Sequence, residues 1–85
     1  MEKITLKTRK LRELYGHSQA AIAFHLGISQ AAYCKKESGQ TQFTIECLEK
    51  LADIYQLTTT DLLNSPVQDL LIQALRSSAS QGRRL

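Results

Sequence analysis

The sequence predicts an all-α bundle of short helices. Three observations support this class: apolar residues recur at helical spacing in six segments, serine or threonine stands where most of these segments begin, and glycine stands where several end. No segment alternates apolar and polar residues as a half-buried strand would. With 85 residues, 42% of them hydrophobic, the chain is expected to form one small domain around one core.

The first three helices are predicted from their apolar spacing and their ends. A serine before a helix can accept a hydrogen bond from a free backbone N–H, and a glycine after it can adopt the left-handed conformation that stops it. The predicted ends are Gly16 for the first helix, Ser18 and Gly27 for the second, and Ser29 and Gly39 for the third. Two short helices joined through a glycine form a helix-turn-helix arrangement.

Three further segments carry helical apolar stripes. The fourth helix follows Thr44, and the fifth follows Thr58, whose spacing from Asp61 fits a capping box. The sixth begins near Ser65 and Pro66, a pair suited to a helix N-terminus. Its stripe consists of Val67, Leu70, Leu71, Ala74 and Leu75. We therefore expect a helix-turn-helix domain over residues 1–64, an amphipathic helix over 65–78 and a flexible basic tail over 79–85.

Charge is distributed unevenly along the chain. The net charge is +3, yet residues 1–36 hold seven Lys and Arg against two Asp and Glu, whereas residues 37–75 hold one against six. This polarity predicts one basic face, as expected of a protein that binds a polyanion. The alternative is solvated charge without a function, which small domains often carry.

Several other classes of protein are disfavoured. No segment has the ~18 apolar residues of a membrane span, and no signal-peptide stretch is visible, so we expect a cytoplasmic protein. Cys34 and Cys47 form no disulfide framework, and with His17 and His25 they lack close metal-ligand spacing. No catalytic motif is present, so we expect neither an enzyme nor a cofactor. Cys34 beside Lys35 could be a redox switch, although a cysteine without a redox role is the simpler interpretation.

Six residues occupy the positions that a helix-turn-helix pair requires. Ala23 is small where the two helices would cross, and Gly27 permits the left-handed turn between them. The other four are apolar where the pair must face the interior. The full set is Ile22, Ala23, Leu26, Gly27, Ile28 and Tyr33.

From His17 to Leu63 the chain reads "HSQAAIAFHLGISQAAYCKKESGQTQFTIECLEKLADIYQLTTTDLL". This segment resembles the Cro and lambda-repressor type of helix-turn-helix domain, the XRE family of prokaryotic transcription regulators. The resemblance extends from about Leu6, with "SQ", "LG", "S" and "E-x-G" in register. It implies a lambda-repressor-like five-helix DNA-binding bundle, here with an additional C-terminal helix. Such domains bind double-stranded operator DNA, usually as dimers, with the third helix in the major groove.

The resemblance implies roles for individual residues, carried over position by position. The residues that would face base edges are Gln30, Ala31, Ala32 and Lys35. Those that would contact phosphates are Gln19, Ser29, Lys36, Thr41, Gln42 and Thr44. Arg12 and Glu37 match an ion pair that braces the third helix. Lys36 replaces an apolar family residue, so its ammonium group could equally face solvent.

The apolar stripe of the sixth helix suggests a partner. We expect its five residues to form a homodimer interface, because a lone domain would not leave them in water. The alternative is that this helix folds back over its own bundle near Phe24, an apolar residue that we expect to be covered. The expected function is sequence-specific transcription regulation, with repression as the expected outcome. The alternative is a protein-interaction module, such as the antitoxin of a toxin pair.

Overall fold

The chain forms a bundle of six helices. A computed structural model describes the backbone of residues 3–82 and the side chains of residues 3–76. No strand occurs within that range, which confirms the all-α prediction. The helices are α1 (Ile4–Tyr15), α2 (Gln19–Leu26), α3 (Gln30–Glu37), α4 (Ile45–Ile54), α5 (Thr59–Asn64) and α6 (Val67–Gly82). The last helix continues beyond residue 78 into the predicted tail, whose residues 83–85 lie outside the described range.

Four helices begin at a hydroxyl side chain. Each of these hydroxyl oxygens accepts a hydrogen bond from the backbone N–H three residues further on, at 3.0 to 3.1 Å. The capping residues are Ser18 for α2, Ser29 for α3, Thr44 for α4 and Thr58 for α5. Gly16 and Gly27 end α1 and α2 with φ of 73°, a conformation that costs glycine nothing. The ends of the helix-turn-helix pair are therefore encoded locally.

The core is built from residues of all six helices. Tyr33 and Tyr55 are the largest side chains that are fully buried. Aliphatic residues from the five helices other than α3 surround them: Leu11, Ile22, Leu26, Leu48, Leu51, Leu62 and Leu70. Because α1 contacts α3, α5 and α6, it connects the helix-turn-helix pair to the C-terminal half of the bundle.

Lys7 is buried inside this bundle although it counts towards the basic N-terminal half. Only 3% of the residue is exposed, and its Nζ donates to the carbonyl oxygens of Leu62 at 3.3 Å and Leu63 at 3.0 Å. Carbonyls in the last turn of a helix have no partner within that helix, and the helix dipole favours a cation there. Lys7 thus joins α1 to the end of α5 and takes no part in a basic face.

The sixth helix packs on its own chain. Leu70 and Ala74 are 0% and 1% exposed and lie in the core, where α6 runs along α1. Their predicted place in a dimer interface is therefore wrong, because a partner chain cannot reach them. Val67 and Leu71 are half-buried, and Leu75 is exposed.

Phe24 also differs from expectation. Its side chain lies on the outer surface of α2 and is 82% exposed, so no element of the described chain covers it. The helix that folds back does so on α1, at Leu70 and Ala74, and not over Phe24.

No described helix combines the length and apolar character that crossing a bilayer requires.

Replacing Lys7 with methionine should destabilise the fold. Methionine can fill the space of the lysine stem but leaves the carbonyls of Leu62 and Leu63 without their charged donor. We expect the free energy of unfolding to fall by about 1–3 kcal/mol, the usual range for a buried bond to a charged group. Urea unfolding measures this. The half-exposed Lys10, changed to methionine as a control, should alter it by less than about 0.5 kcal/mol.

Candidate nucleic-acid interface

The helix-turn-helix pair is held together by its inner surfaces. Ile22, Ala23 and Leu26 of α2 and Tyr33 of α3 are all at most 3% exposed. Ile28, between the helices, is half-buried against the same core, and its backbone N–H donates to the carbonyl of Ala23 at 3.0 Å. The six residues predicted for this arrangement thus form one packed unit, with Gly27 at its left-handed turn. The outward face of α3 is left in solvent.

Glu37, the last residue of α3, joins three helices through one buried carboxylate. It is 3% exposed. Its Oε2 accepts from Arg12 Nε at 2.8 Å and from Tyr33 Oη at 2.7 Å, and its Oε1 accepts from Arg12 Nη2 at 3.0 Å and from Gln19 Nε2 at 3.1 Å. We call these four residues the Glu37 junction. Arg12 Nη1 also donates to the carbonyl of His17, so the turn before α2 is fixed as well.

The Glu37 junction keeps its carboxylate ionised. Burial alone would raise the pKa of Glu37, but hydrogen bonds from Arg12, Tyr33 and Gln19 outweigh it and hold this pKa below its usual value. The bond to Glu37 in turn raises the pKa of Arg12. Burial, with help from the same carboxylate, raises the pKa of Tyr33. All four side chains therefore keep one protonation state near neutral pH, which fixes the end of α3.

The predicted base-reading residues lie on the part of α3 that is outside the core. Gln30, Ala31 and Lys35 are exposed, and Ala32 is half-buried beside them. None of the first three has a side-chain bond that would hold it away from a ligand among the hydrogen bonds of the described chain. The surface offers an amide, a methyl group and an ammonium group within one and a half helical turns, a set that matches the edges of base pairs in a major groove.

Gln19 has a different environment from the one that its predicted role suggests. It begins α2, where a phosphate contact was expected, but its Nε2 donates to Glu37. The Nε2 amide group keeps a second hydrogen, so the side chain can still donate to a phosphate while this bond holds. The backbone N–H groups in the first turn of α2 remain suited to an anion. Gln19 is thus part of the Glu37 junction, and its predicted phosphate contact would use the remaining amide hydrogen.

The other predicted phosphate contacts surround α3. The hydroxyl oxygens of Ser29 and Thr44 accept capping bonds, which leaves each hydroxyl hydrogen free to donate outward. Thr41 and Gln42 are exposed in the segment after α3. Lys36 is half-buried, and its Nζ donates to the carbonyl of Gln42 at 3.0 Å. Lys36 thus ties this segment to α3, a role that the sequence pattern did not reveal.

Two cations of α1, Arg9 and Lys7, have different environments in the structure. Arg9 Nε lies 3.9 Å from Glu37 Oε1, beyond a hydrogen bond, and its side chain is half exposed. Since Glu37 already has four donors, Arg9 is left available to a second anion. Lys7, counted with it in the basic half, points into the bundle instead. Helical spacing is the sequence signal that separates the two. Lys7 lies three residues after Ile4 and four before Leu11, on the stripe that faces the core, whereas Arg9 lies about 200° further around the helix.

The cysteines show no sign of a joint site. Cys34 is exposed on α3 and Cys47 is buried on α4, and both are free thiols. Among the described residues, no group of three or more His, Cys, Asp and Glu side chains is placed to hold a metal ion.

Stability should depend on pH through Glu37. Its pKa is lowered in the folded chain, so its contribution is complete above the unfolded value of about 4.3 and is lost as pH falls through the folded value. We expect Glu37→Gln to cost about 3 kcal/mol at pH 7, as for a buried pair that loses one member. Urea unfolding at several pH values measures this cost. The difference in the free energy of unfolding between the variant and the native chain should shrink below about pH 4.

A matched control is Glu46→Gln. Glu46 also pairs with a cation, Lys50, at 3.5 Å, but its side chain is 78% exposed. Its substitution should change the free energy of unfolding by less than about 0.5 kcal/mol at any of these pH values. A Glu37→Gln difference that stays constant down to pH 3 would contradict the assigned role of the Glu37 junction.

Comparison with known proteins agrees with this geometry. The sequence profile of the helix-turn-helix family matches residues 9–62, more than half of the chain. No curated protein and no solved structure gives a significant match. The matched range contains α2, α3 and the Glu37 junction, and this family consists of DNA-binding regulators and is not a family of enzymes. The chain belongs to the helix-turn-helix family, of the Cro and C1 type.

Proposed function

We propose that this chain is a sequence-specific transcription regulator that inserts α3 into the major groove of an operator. The observation that carries this proposal is the division of α3 into two faces. Its inner face is fixed by Tyr33 and Glu37, while its outer face presents Gln30, Ala31 and Lys35 to solvent. A helix held this way can discriminate between base edges, because the backbone that carries its outer side chains has a fixed position.

Charge supports the same face. The one carboxylate of α3 is buried and neutralised in the Glu37 junction, so the exposed charges on this helix are the ammonium groups of Lys35 and, in part, Lys36. Gln30 suits the N6 and N7 groups of adenine, Lys35 suits O6 or N7 of guanine, and the methyl groups of Ala31 and Ala32 suit thymine. Such a surface attracts DNA and does not repel its phosphates.

Phosphate contacts would fix the position of α3 in the groove. Candidates are the backbone N–H groups at the start of α2 beside Gln19, the hydroxyls of Ser29, Thr41 and Thr44, and the amide of Gln42. Arg9 joins this set because its guanidinium is half exposed beside Glu37. We propose a supporting contact for Lys36 as well, since an ammonium group bonded to one carbonyl keeps two further donors.

We further propose that the regulator acts as a homodimer and represses transcription by occupying its operator. Two copies of α3 would then lie about 34 Å apart, one turn of DNA. With Leu70 and Ala74 in the core, the surface left for a partner consists of Leu75, Ile72 and the neighbouring Leu14 of α1. Leu14, Tyr15, Ala74 and Leu75 line a small cleft of about 140 Å³ between these helices. Val67 and Leu71, half-buried, would lie at its edge.

A protein-interaction module, such as an antitoxin, is the second candidate. The observation that favours it is the apolar outer surface of α2. Phe24 is 82% exposed there, and the neighbouring Ala20 is exposed and uncharged. Large exposed aromatic side chains are unusual on a surface that binds nothing. This candidate does not exclude DNA binding, because Phe24 lies on a different helix from Gln30 and Lys35.

Substituting Gln30 and Lys35 together by alanine should abolish sequence preference. The two substitutions remove polar base contacts worth about 1–3 kcal/mol each and leave the phosphate contacts in place. Selection of bound duplexes from a randomised library, followed by sequencing, identifies the preferred site of the native chain. The double variant should bind that site no better than random DNA, with weaker binding that still depends steeply on salt.

The matched control changes the same residue types elsewhere. Gln68→Ala with Lys50→Ala alters two exposed residues on α6 and α4. It should retain the native site preference, and unfolding in urea verifies that both double variants are folded. Full preference in the Gln30 and Lys35 variant would contradict the assignment of α3 as the reading helix.

Leu75→Lys should convert a dimer into a monomer. The residue is 55% exposed, so a lysine is tolerated in a single chain but would be buried and unpaired between two. Sedimentation of the full chain measures the change. The full chain is needed because truncation after Asn64 would remove Leu70 and Ala74 from the core. Ile45→Lys, on α4 and 66% exposed, should leave the dimer intact. Dissociation by Ile45→Lys alone would place the interface elsewhere.

A further inference from the structure

A groove in the described chain lies beside α3 and not on its reading face. It separates the first turn of α1 from the segment that connects α3 to α4, and its volume is about 550 Å³. Small-molecule sites in proteins usually measure about 300–1,000 Å³. We call it the α1 groove. The base-reading residues Gln30, Ala31 and Lys35 do not line it.

The lining of the α1 groove is divided into an apolar floor and a polar rim. Ile4, Phe43 and Leu48 supply the floor; Leu48 is buried, and the other two are half-buried against the core. Polar residues line its two sides, Lys3 and Thr5 on one side and Ser38, Thr41 and Gln42 on the other, and Lys3 and Thr41 are exposed. A ligand that fits must therefore have an apolar part that can replace water on the floor and a polar part at the rim.

The charge of the rim decides which polar group fits. Among the described residues that line the groove, Lys3 is the one charged residue and none is a carboxylate. The first turn of α1 contains no acidic side chain, and no side chain caps its free N–H groups, so the helix dipole adds to the positive potential of Lys3. A negatively charged group is therefore favoured at the rim, and a positively charged one is disfavoured.

We propose that the α1 groove binds a small organic carboxylate with an apolar body, and that its binding weakens the affinity for DNA. The second statement rests on the proposed function. Ser38, Gly39, Thr41 and Gln42 of the connecting segment line the groove, and two of them are proposed phosphate contacts. A carboxylate beside them adds a negative charge near the DNA backbone and restricts the segment, which is tied to α3 through the bond from Lys36 Nζ to the carbonyl of Gln42.

The proposal is tested on the full chain with 3-phenylpropanoate and, as a neutral analogue of the same shape, 3-phenylpropanamide. Titration followed by backbone amide NMR signals should show saturable shifts for Thr5, Gly39, Gln42 and Phe43, with a dissociation constant on the order of 1 mM for a ligand of this size. The amide should bind about three- to five-fold more weakly, as expected for the loss of one exposed charge pair.

Variants of Lys3 separate charge from shape. Lys3→Gln should weaken binding of the carboxylate about three- to five-fold and leave binding of the amide unchanged, whereas Lys3→Arg should restore the carboxylate preference. Lys10→Gln is the matched control, since Lys10 is also a half-exposed lysine on α1 but does not line the groove. Because Lys3 is exposed, none of these substitutions is expected to unfold the chain.

Three results would overturn the proposal. Absence of saturable shifts up to about 20 mM, twenty times the expected dissociation constant, would show that the groove binds no such ligand. Equal binding of the carboxylate and the amide would refute the charge argument. If a DNA duplex shifts the amide NMR signals of the groove residues and no carboxylate does, the groove contacts the DNA backbone and the proposal is wrong.

The regulatory step has a separate measurement. Affinity for the site selected from the library should fall by up to about five-fold at saturating 3-phenylpropanoate, and the amide at equal occupancy should have a smaller effect. An unchanged affinity with the groove occupied would refute regulation. Failure of the chain to select any DNA sequence would refute the proposed function, while the NMR titration would still decide whether the groove binds a carboxylate.

Discussion

The buried carboxylate of Glu37 is the interaction on which the arrangement of the first three helices depends. Four donated hydrogen bonds reach it, from Arg12 on α1, Gln19 on α2 and Tyr33 on α3. An ion pair at this depth gives little net stability, because desolvation offsets much of the attraction, but its geometry is demanding. Few other positions of α3 would satisfy all four bonds at once. The junction thus sets where the exposed face of α3 points.

The cations of this chain serve two different purposes. Arg12 and Lys7 are used inside the bundle, the first to bind Glu37 and the second to bind the carbonyls at the end of α5. Lys36 is partly used in the same way, since it ties the connecting segment to α3. The basic half of the sequence therefore overstates the basic surface of the fold. Of the basic half, Lys3, Arg9, Lys10 and Lys35 remain exposed, and of these Arg9 lies beside Glu37 and Lys35 lies on α3.

The elements could be predicted from the sequence because their signals are local. A capping hydroxyl such as Ser29 and a left-handed glycine such as Gly27 act within a few residues, and both were assigned correctly. The position of α6 could not be predicted, because its apolar stripe indicates only that something covers it. Leu70 and Ala74 are covered by α1, which is remote in sequence. The bond from Gln19 to Glu37 depends in the same way on tertiary geometry.

The packing of α1 gives the proposed dimer a further property. Through Arg12 this helix holds the end of α3, through Leu11 and Leu70 it packs with α6, and Leu14 lies beside the exposed Leu75. A partner bound at Leu75 would therefore be connected to α3 by a single helix of 12 residues rather than by a flexible linker. The distance between two copies of α3 would then be fixed by the protein, which would make the spacing of the two operator half-sites a strict requirement.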